Sequence, residues 1–223
     1  MAKQFAWSFS KLKSYETCPR KFHEQDVLKN FQEGDSEQLI WGNQVHQTLA
    51  KVLEGKLPEL PPEMEMFQKY VDLVNKLPGN LQVEQKYAIT KDFGPTTYFA
   101  PNCWYRGIGD VVKVGDTRAV ILDWKTGAIK VDSVQLMLMA LCIFAHFPKV
   151  QKVHTGFIWL KEDAVTMEEY DRADVADCWT GLLGRVTDLE AALKTGNFPP
   201  KPSGLCRKWC PVSSCEFHGK GAF

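Results

Sequence analysis

Two carboxylates and a lysine fall on one side of a hairpin in this sequence. The runs that carry them are Gly107-Ile108-Gly109-Asp110-Val111-Val112 and Val120-Ile121-Leu122-Asp123-Trp124-Lys125-Thr126. Strand side chains alternate, so Ala119, Ile121, Asp123 and Lys125 share one face while Val120, Leu122 and Trp124 share the other. Both faces are mostly apolar, which describes a central strand. In the first run Asp110 has the parity of Ile108, Val112 and Val114, and Gly115-Asp116 between the runs is a tight-turn signal. The two strands should pair antiparallel, through a two-residue loop at Gly115-Asp116 or a longer one running to Arg118. One register sets Asp110 directly opposite Asp123 and the other sets them diagonally, with Cβ atoms about 4.5 to 8 Å apart. One hydrated divalent cation can bridge that gap. Two ionised acids and a lysine on an apolar surface carry a large desolvation cost unless they pair or bind metal. A buried Asp–Lys ion pair is the structural alternative.

The surrounding elements must position these groups. Ser10 can cap a helix from Lys11 through Thr17, and Pro19 permits a second start at Arg20. Ile40 to Leu53 carries Val45, Leu49, Val52 and Leu53 at helical spacing, with His46 at the edge of the stripe and Gly55 beyond its end. Phe67, Tyr70, Val71, Val74 and Leu77 form a second stripe ending at Pro78-Gly79. Leu81 to Thr90 reads as a strand with Leu81, Val83, Tyr87 and Ile89 on one side and Glu84 on the other. Asp132 to Phe147 is apolar all round, a buried helix with Gln135 as its conspicuous polar residue. His154 to Leu160 should be a further strand, and a long helix, assigned to residues 165–198, carries an apolar stripe from Val175 to Leu193. At the end of the chain Cys206, Cys210 and Cys215 lie within ten residues, which implies a shared ligand.

The ordered set His46, Gly107-Ile108-Gly109-Asp110, Asp123-Trp124-Lys125 and Gln135 resembles the PD-(D/E)xK nucleases, in particular the RecB-type branch with CRISPR-adaptation nucleases and helicase-linked exonucleases. The opening from Ser8 to Phe22, with Cys18-Pro19, and the cysteine-rich end share that likeness, so the resemblance spans nearly the whole chain. It implies an α/β fold with a restriction-endonuclease-like core, a central mixed sheet flanked by helices, and a C-terminal metal or cluster loop. It also implies a single domain over residues 1–223: an N-terminal helical segment at 1–30, a catalytic core at 38–160, the long helix, and the cysteine-rich end at 199–223.

The resemblance further implies that His46, Asp110, Asp123 and the backbone carbonyl of Trp124 bind Mg²⁺ or Mn²⁺, whose water attacks a phosphodiester. Lys125 would orient that water or stabilise charge on the phosphate, and Gln135 would hydrogen-bond near the lysine or the substrate. Glu84 joins them as the acid that the branch often carries on the preceding strand. Met139 stands where relatives have a tyrosine, so any hydroxyl contact made there is absent. For the cysteines two assignments stay open. Cys18, Cys206, Cys210 and Cys215 would hold a [4Fe-4S] cluster, as in iron-sulfur members of the family; or Cys206, Cys210, Cys215 and His218 would hold a local zinc, with Cys18 a core thiol. A cluster would tie the first helix to the last loop, a cross-link whose chain-entropy ceiling is about 5 kcal/mol.

Composition narrows the class. The 223 residues are 44% hydrophobic and 24% charged, ordinary for a folded domain and unlike a disordered chain. The longest nearly apolar run, Leu136 to Phe147, is too short to span a bilayer. The opening lacks the apolar core of a secretory signal, so a reducing, cytoplasmic setting in a bacterial cell or phage-infected host is expected, and seven cysteines there suggest metal or thiol chemistry. A net charge of zero gives no global signature of nucleic-acid binding. Positive charge is local instead, in Lys11, Lys13, Arg20 and Lys21 near the start and Arg207 and Lys208 near the end. The expected activity is a metal-dependent deoxyribonuclease, an exonuclease on single-stranded DNA or DNA ends in recombination, repair or phage DNA processing, with a helicase or recombination partner. The alternative is a non-catalytic DNA-binding adaptor of the same fold.

Overall fold

The computed structural model describes residues 5–32, 34, 36–130 and 132–220. In chain order the elements are helices α1 (Phe9–Thr17), α2 (Pro19–Phe22), α3 (Glu37–Leu53) and α4 (Gln68–Lys76), then strands β1 (Asn80–Ile89), β2 (Pro95–Thr96), β3 (Tyr105–Val114) and β4 (Arg118–Lys125). Helix α5 (Val134–His146), strands β5 (Lys152–Trp159) and β6 (Ala164–Asp171), and helix α6 (Val175–Thr195) complete the set. The chain divides into two compact units, one of residues 36–178 with the first six, the other of residues 7–35 and 179–223.

The first unit holds one six-stranded sheet in the order β2-β1-β3-β4-β5-β6. β4 and β5 run parallel, joined by the crossover helix α5, and every other neighbouring pair is antiparallel. This is the expected mixed sheet flanked by helices. The side chains Val45, Leu49 and Leu53 of α3 and Tyr70, Val71 and Val74 of α4 pack with Val111, Leu122, Trp124 and Ile158 in one buried cluster. Burying each such side chain contributes roughly 1.5–3 kcal/mol. Helix α5 buries its residues nearly all round, as its uniform apolarity required.

Several boundaries differ from the sequence reading. Ser8, not Ser10, caps α1, accepting the Lys11 N–H. The long helix does not begin at 165: residues Ala164–Asp171 form β6, and α6 starts only at Val175. Val165 and Met167 lie on an edge strand with their side chains largely exposed, so burial gave no apolar run to reveal it.

Strand β1 departs from simple alternation. Leu81 and Val83 pack against the α3/α4 cluster, whereas Tyr87 packs its ring on His146 and Phe147 at the end of α5. The parity therefore switches faces between Val83 and Tyr87. Glu84, in that interval, has φ +48°, a left-handed conformation that costs a non-glycine residue energy. Strand β3 switches at the same level: Val111 belongs to the α3/α4 cluster, while Gly107 and Gly109 lie under Met139 of α5.

In the second unit α6 presents Trp179, Leu182, Val186, Leu189 and Ala192 as its buried stripe. Arg185 holds Glu16 of α1 through two hydrogen bonds of 2.5 and 2.9 Å, and Tyr15 donates to the Asp188 carbonyl at 3.1 Å. Gly196, at φ +70°, supplies the left-handed residue that ends α6.

Candidate active site

The turn decides how the acids meet. β3 and β4 pair Val114 with Ala119, through Val111 with Leu122, so the loop is the longer alternative. The regular pairing ends there, and beyond it Asp110 reaches β4 through its side chain, close enough to Asp123 for their charges to interact. On the other side β1 pairs Val83 with Val111 and Gln85 with Gly109, so Glu84 sits opposite Asp110. Glu84, Asp110 and Asp123 thus form one row across three adjacent strands, at the level where β1 and β3 switch faces.

Helix α3 lays His46 over this row, with Nδ1 3.3 Å from Asp110 Oδ2. The helix comes close because Gly42 lacks a side chain: a Cβ there would lie 3.1 Å from Thr126 Oγ1. The same Asp110 oxygen accepts the backbone N–H of Trp124 at 2.8 Å, which fixes the carboxylate against the next strand. Ligand atoms of His46, Glu84 and Asp110 all lie within 4.8 Å of one another, the spacing a divalent ion needs. Asp123 lies outside that mutual group, and Glu84, expected as the acid on the preceding strand, lies inside it although the residue is exposed.

Asp123 belongs to a second knot. Lys125 Nζ is 2.6 Å from Asp123 Oδ2 and donates to Gln135 Oε1 at 3.0 Å, while the Gln135 amide donates to Asp123 Oδ1 at 2.6 Å. Gln135 is positioned by the first turn of α5, so that helix orients the acid and the lysine together. Asp123 Oδ2 is buried, and its partner is the Lys125 ammonium. The lysine ammonium also sits 4.9 Å from the centre of the Phe157 ring.

The crowding of acids shows in their protonation. Withdrawal of the Glu84 carboxyl from water, then the charge of Asp110, pushes its pKa up to about 7. Burial, then Asp110, raises Asp123 against the opposing pull of Lys125. For His46 burial acts to lower the pKa, but the Asp110 hydrogen bond and the nearby carboxylates outweigh it and leave it raised. A bound cation would relieve the repulsion among all three acids. The donor set fits: two carboxylates and an imidazole around one point, a third carboxylate and a lysine beside it.

His46, Glu84, Trp124 and Lys125 open into one groove of about 720 Å³, bounded by α3 on one side. The glycines before Asp110 were legible as a motif but not for their reason. A Cβ on Gly107 would stand 2.8 Å from Met139 Sδ, and one on Gly109 3.1 Å from Met139 Cε. Met139, noted only as a missing tyrosine, packs against the strand that carries Asp110.

The cysteines divide as their surroundings do. Cys103 and Cys142 are buried in the first unit. Cys18, Cys206, Cys210 and Cys215 line a single small cavity of the second unit, together with His218, Arg20 and Lys21. Backbone N–H groups of Lys201 and Ser203 point at the sulfurs of Cys18 and Cys206, each at 3.4 Å. Of the basic residues, Lys13 lies 4.0 Å from Glu16, Lys11 is half-buried, and Arg207 and Lys208 are exposed.

No helix among the described residues is long and apolar enough to cross a membrane. No curated protein sequence matches the chain. Among solved structures, a protein named SSO0001 aligns over 98% of this chain and 89% of its own at 14% identity, with a TM-score of 0.47. A protein described as a putative exonuclease from Eubacterium rectale aligns over 92% of this chain and 86% of its own at 11% identity, with a TM-score of 0.56, a likeness of fold. The sequence model of one family matches residues 6–94 and 78–215, a span that takes in His46, the acid row, Lys125, Gln135 and the cysteines: the chain belongs to the PD-(D/E)XK nuclease superfamily.

Proposed function

We propose that this protein is a Mg²⁺- or Mn²⁺-dependent deoxyribonuclease acting as an exonuclease on single-stranded DNA or DNA ends. The observation that carries the reading is the row Glu84, Asp110 and Asp123 across β1, β3 and β4, with Lys125 at its edge. His46, Glu84 and Asp110 would hold the ion, with Asp123 Oδ2 and the Trp124 carbonyl within the same neighbourhood as further oxygen donors. When bound, the ion supplies an acidic water as nucleophile and offsets charge on the phosphodiester. The Trp124 N–H keeps Asp110 aimed at the site. Gln135 orients both Asp123 and Lys125, and Lys125 places its ammonium where negative charge develops on the phosphate. The biological setting in this reading is recombination, repair or phage DNA processing in the cytoplasm, alongside a helicase or recombination partner.

The cysteine cavity is assigned to a [4Fe-4S] cluster held by Cys18, Cys206, Cys210 and Cys215. Cys18 lines the same cavity as the other three, as a shared cluster would need; His218 lines it too, and a zinc on Cys206, Cys210, Cys215 and His218 is the second reading. The exposed Arg207, Lys208 and Trp209 beside it, with Lys11, Lys13, Arg20 and Lys21, are assigned to the DNA backbone and bases.

The test is incubation of anaerobically purified protein with end-labelled single- and double-stranded DNA, with and without Mn²⁺, beside Lys125→Ala. Metal-dependent shortening that the variant lacks is expected, with brown absorbance near ~400 nm from the cluster. DNA binding with no cleavage under any metal would replace the nuclease with the adaptor.

A further inference from the structure

The first unit carries a cationic and aromatic patch that neither the metal row nor the basic termini account for. Lys86 of β1 lies 5.6 Å from the Tyr98 ring and 5.5 Å from the Phe99 ring, and the Arg106 guanidinium of β3 lies 4.8 Å from Tyr98. Arg106 also donates to the Tyr98 carbonyl at 3.4 Å, and the two rings meet edge to face at 5.0 Å. The connection that bears them is anchored at its end by Trp104 and Tyr105, 2% and 1% exposed. Phe99 nevertheless stands 73% exposed on that fixed support. Burial explains Trp104 and Tyr105; it does not explain Phe99.

Position gives the patch its meaning. Lys86 pairs with Ile108 in the β1–β3 ladder, two residues from Glu84, and Arg106 is four residues from Asp110. At about 3.3 Å per residue those cations stand roughly 7 and 13 Å from the acid row along the same two strands. Lys86 and Ile108 project from the face opposite Gly107 and Gly109, which are closed by Met139 of α5. They therefore point to the side of the sheet over which α3 lays His46, and Ile108 is 39% exposed there. Two cations, an exposed ring and an apolar residue extend the open face beyond the metal row.

We propose that Lys86, Arg106, Tyr98, Phe99 and Ile108 form a seat for unpaired nucleotides flanking the scissile phosphate. Lys86 and Arg106 take backbone phosphates, and Phe99 stacks on a base. Stacking needs the face of a base free, so the seat selects a single strand over a duplex at this side of the cut. The rings that hold Lys86 and Arg106 also orient them before the strand arrives, which lowers the ordering cost of binding. The inference deepens the nuclease reading and rests on it.

The experiment uses the full chain and a fluorescent oligothymidylate, with a duplex of equal length, measuring affinity by anisotropy in EDTA so that nothing is cut. Phe99→Ala should weaken single-strand binding by about 5- to 100-fold and leave duplex binding much less changed, and Phe99→Trp should restore it. Lys86→Ala should reduce the slope of log affinity against log salt by about 0.7. Both side chains are exposed, so unchanged melting temperatures are expected alongside. Single-strand affinity and salt slope equal to wild type in both variants would overturn the seat, as would equal losses for single strand and duplex in Phe99→Ala. Mn²⁺-dependent hydrolysis of bis(p-nitrophenyl) phosphate, too small to reach the patch, separates the two readings. Hydrolysis with unchanged oligonucleotide binding in the variants removes the seat alone, whereas the expected binding losses without hydrolysis leave the seat and remove the nuclease.

Discussion

The acid row and the cysteine cavity are both collections of metal-type ligands, yet they are built in opposite ways. Glu84, Asp110 and Asp123 lie on three adjacent strands, Asp110 held by the Trp124 N–H and Asp123 by the Gln135 amide. Ligand atoms of His46, Glu84 and Asp110 lie within 4.8 Å of one another. The four cysteines instead sit at a helix end and on a segment of short turns, residues 199–220. Little regular structure holds that segment. The contrast teaches that strand register positions the first set of ligands, while short turns position most of the second.

The comparison breaks most sharply in the effect of single substitutions on activity and on stability. Lys125→Ala or Asp110→Ala should lower the rate of Mn²⁺-dependent DNA cleavage by about 10³-fold or more, a loss of about 4 kcal/mol in transition-state stabilisation. Circular dichroism of both variants should match wild type, since the sheet does not depend on either group for its register. A variant that cuts at the wild-type rate would remove its residue from the chemistry. The same Asp110→Ala should abolish a Mn²⁺-induced rise in melting temperature.

Cys206→Ser should reverse the pattern. Loss of visible absorbance and a fall in stability of up to about 5 kcal/mol are expected, read by chemical denaturation of anaerobic protein. Hydrolysis of bis(p-nitrophenyl) phosphate should survive under conditions where the first unit stays folded. A colourless protein that contains zinc, with the metal kept in Cys18→Ser and lost in His218→Ala, would move the assignment to local zinc.

Gly109→Ala probes how the sheet is held beneath the acids. The new methyl would meet Val112 Cγ2 at 2.8 Å and Met139 Cε at 3.1 Å, and overpacking of this kind costs about 1–3 kcal/mol. Pairing it with Met139→Ala should recover part of the loss in a double-mutant cycle, because the clash is shared. Additive losses would show that Met139 does not govern the spacing.

Much of this arrangement was legible in the residues. The parity of Asp123 and Lys125, the stripe bearing His46, and the all-apolar helix opening on Gln135 each carry a periodic signal that survives folding. What was hidden had physical reasons. The choice between two turn lengths at Gly115 sets the register of β3 on β4, and both lengths suit the same residues. Nothing about a glutamate announces φ +48°, so the face switch at Glu84, and with it the separation of Tyr87 from Val83, had no local signature. Strand β6 escaped because Val165 and Met167 are exposed at an edge. The partition that joins residues 7–35 with 179–223 depends on contacts such as Arg185 with Glu16, distant in sequence.

The smallest expected effect concerns pH, and its sign distinguishes a fold-shaped ligand site from an ordinary ion-pair network. In metal-free protein the Glu84 carboxyl moves from an ordinary 4.5 to about 7 on folding, Asp123 moves the same way, and His46 rises above 6.5. In that window each group holds more protons folded than unfolded, so stability must fall as pH rises. For the carboxyls the cost grows as pH climbs from about 4.5 through about 7 and is constant above; for His46 the stabilisation is complete below 6.5 and is lost as pH passes its raised value. A melting temperature in EDTA that declines from pH 5 to pH 7.5 is therefore expected, with a shallower decline in Glu84→Gln. Saturating Mn²⁺ should reverse the slope, because the ion competes with protons for the same ligands and binds more tightly as they leave. An identical decline in wild type and Glu84→Gln would mean that the acid row does not set the pH response and that Glu84 titrates apart from it.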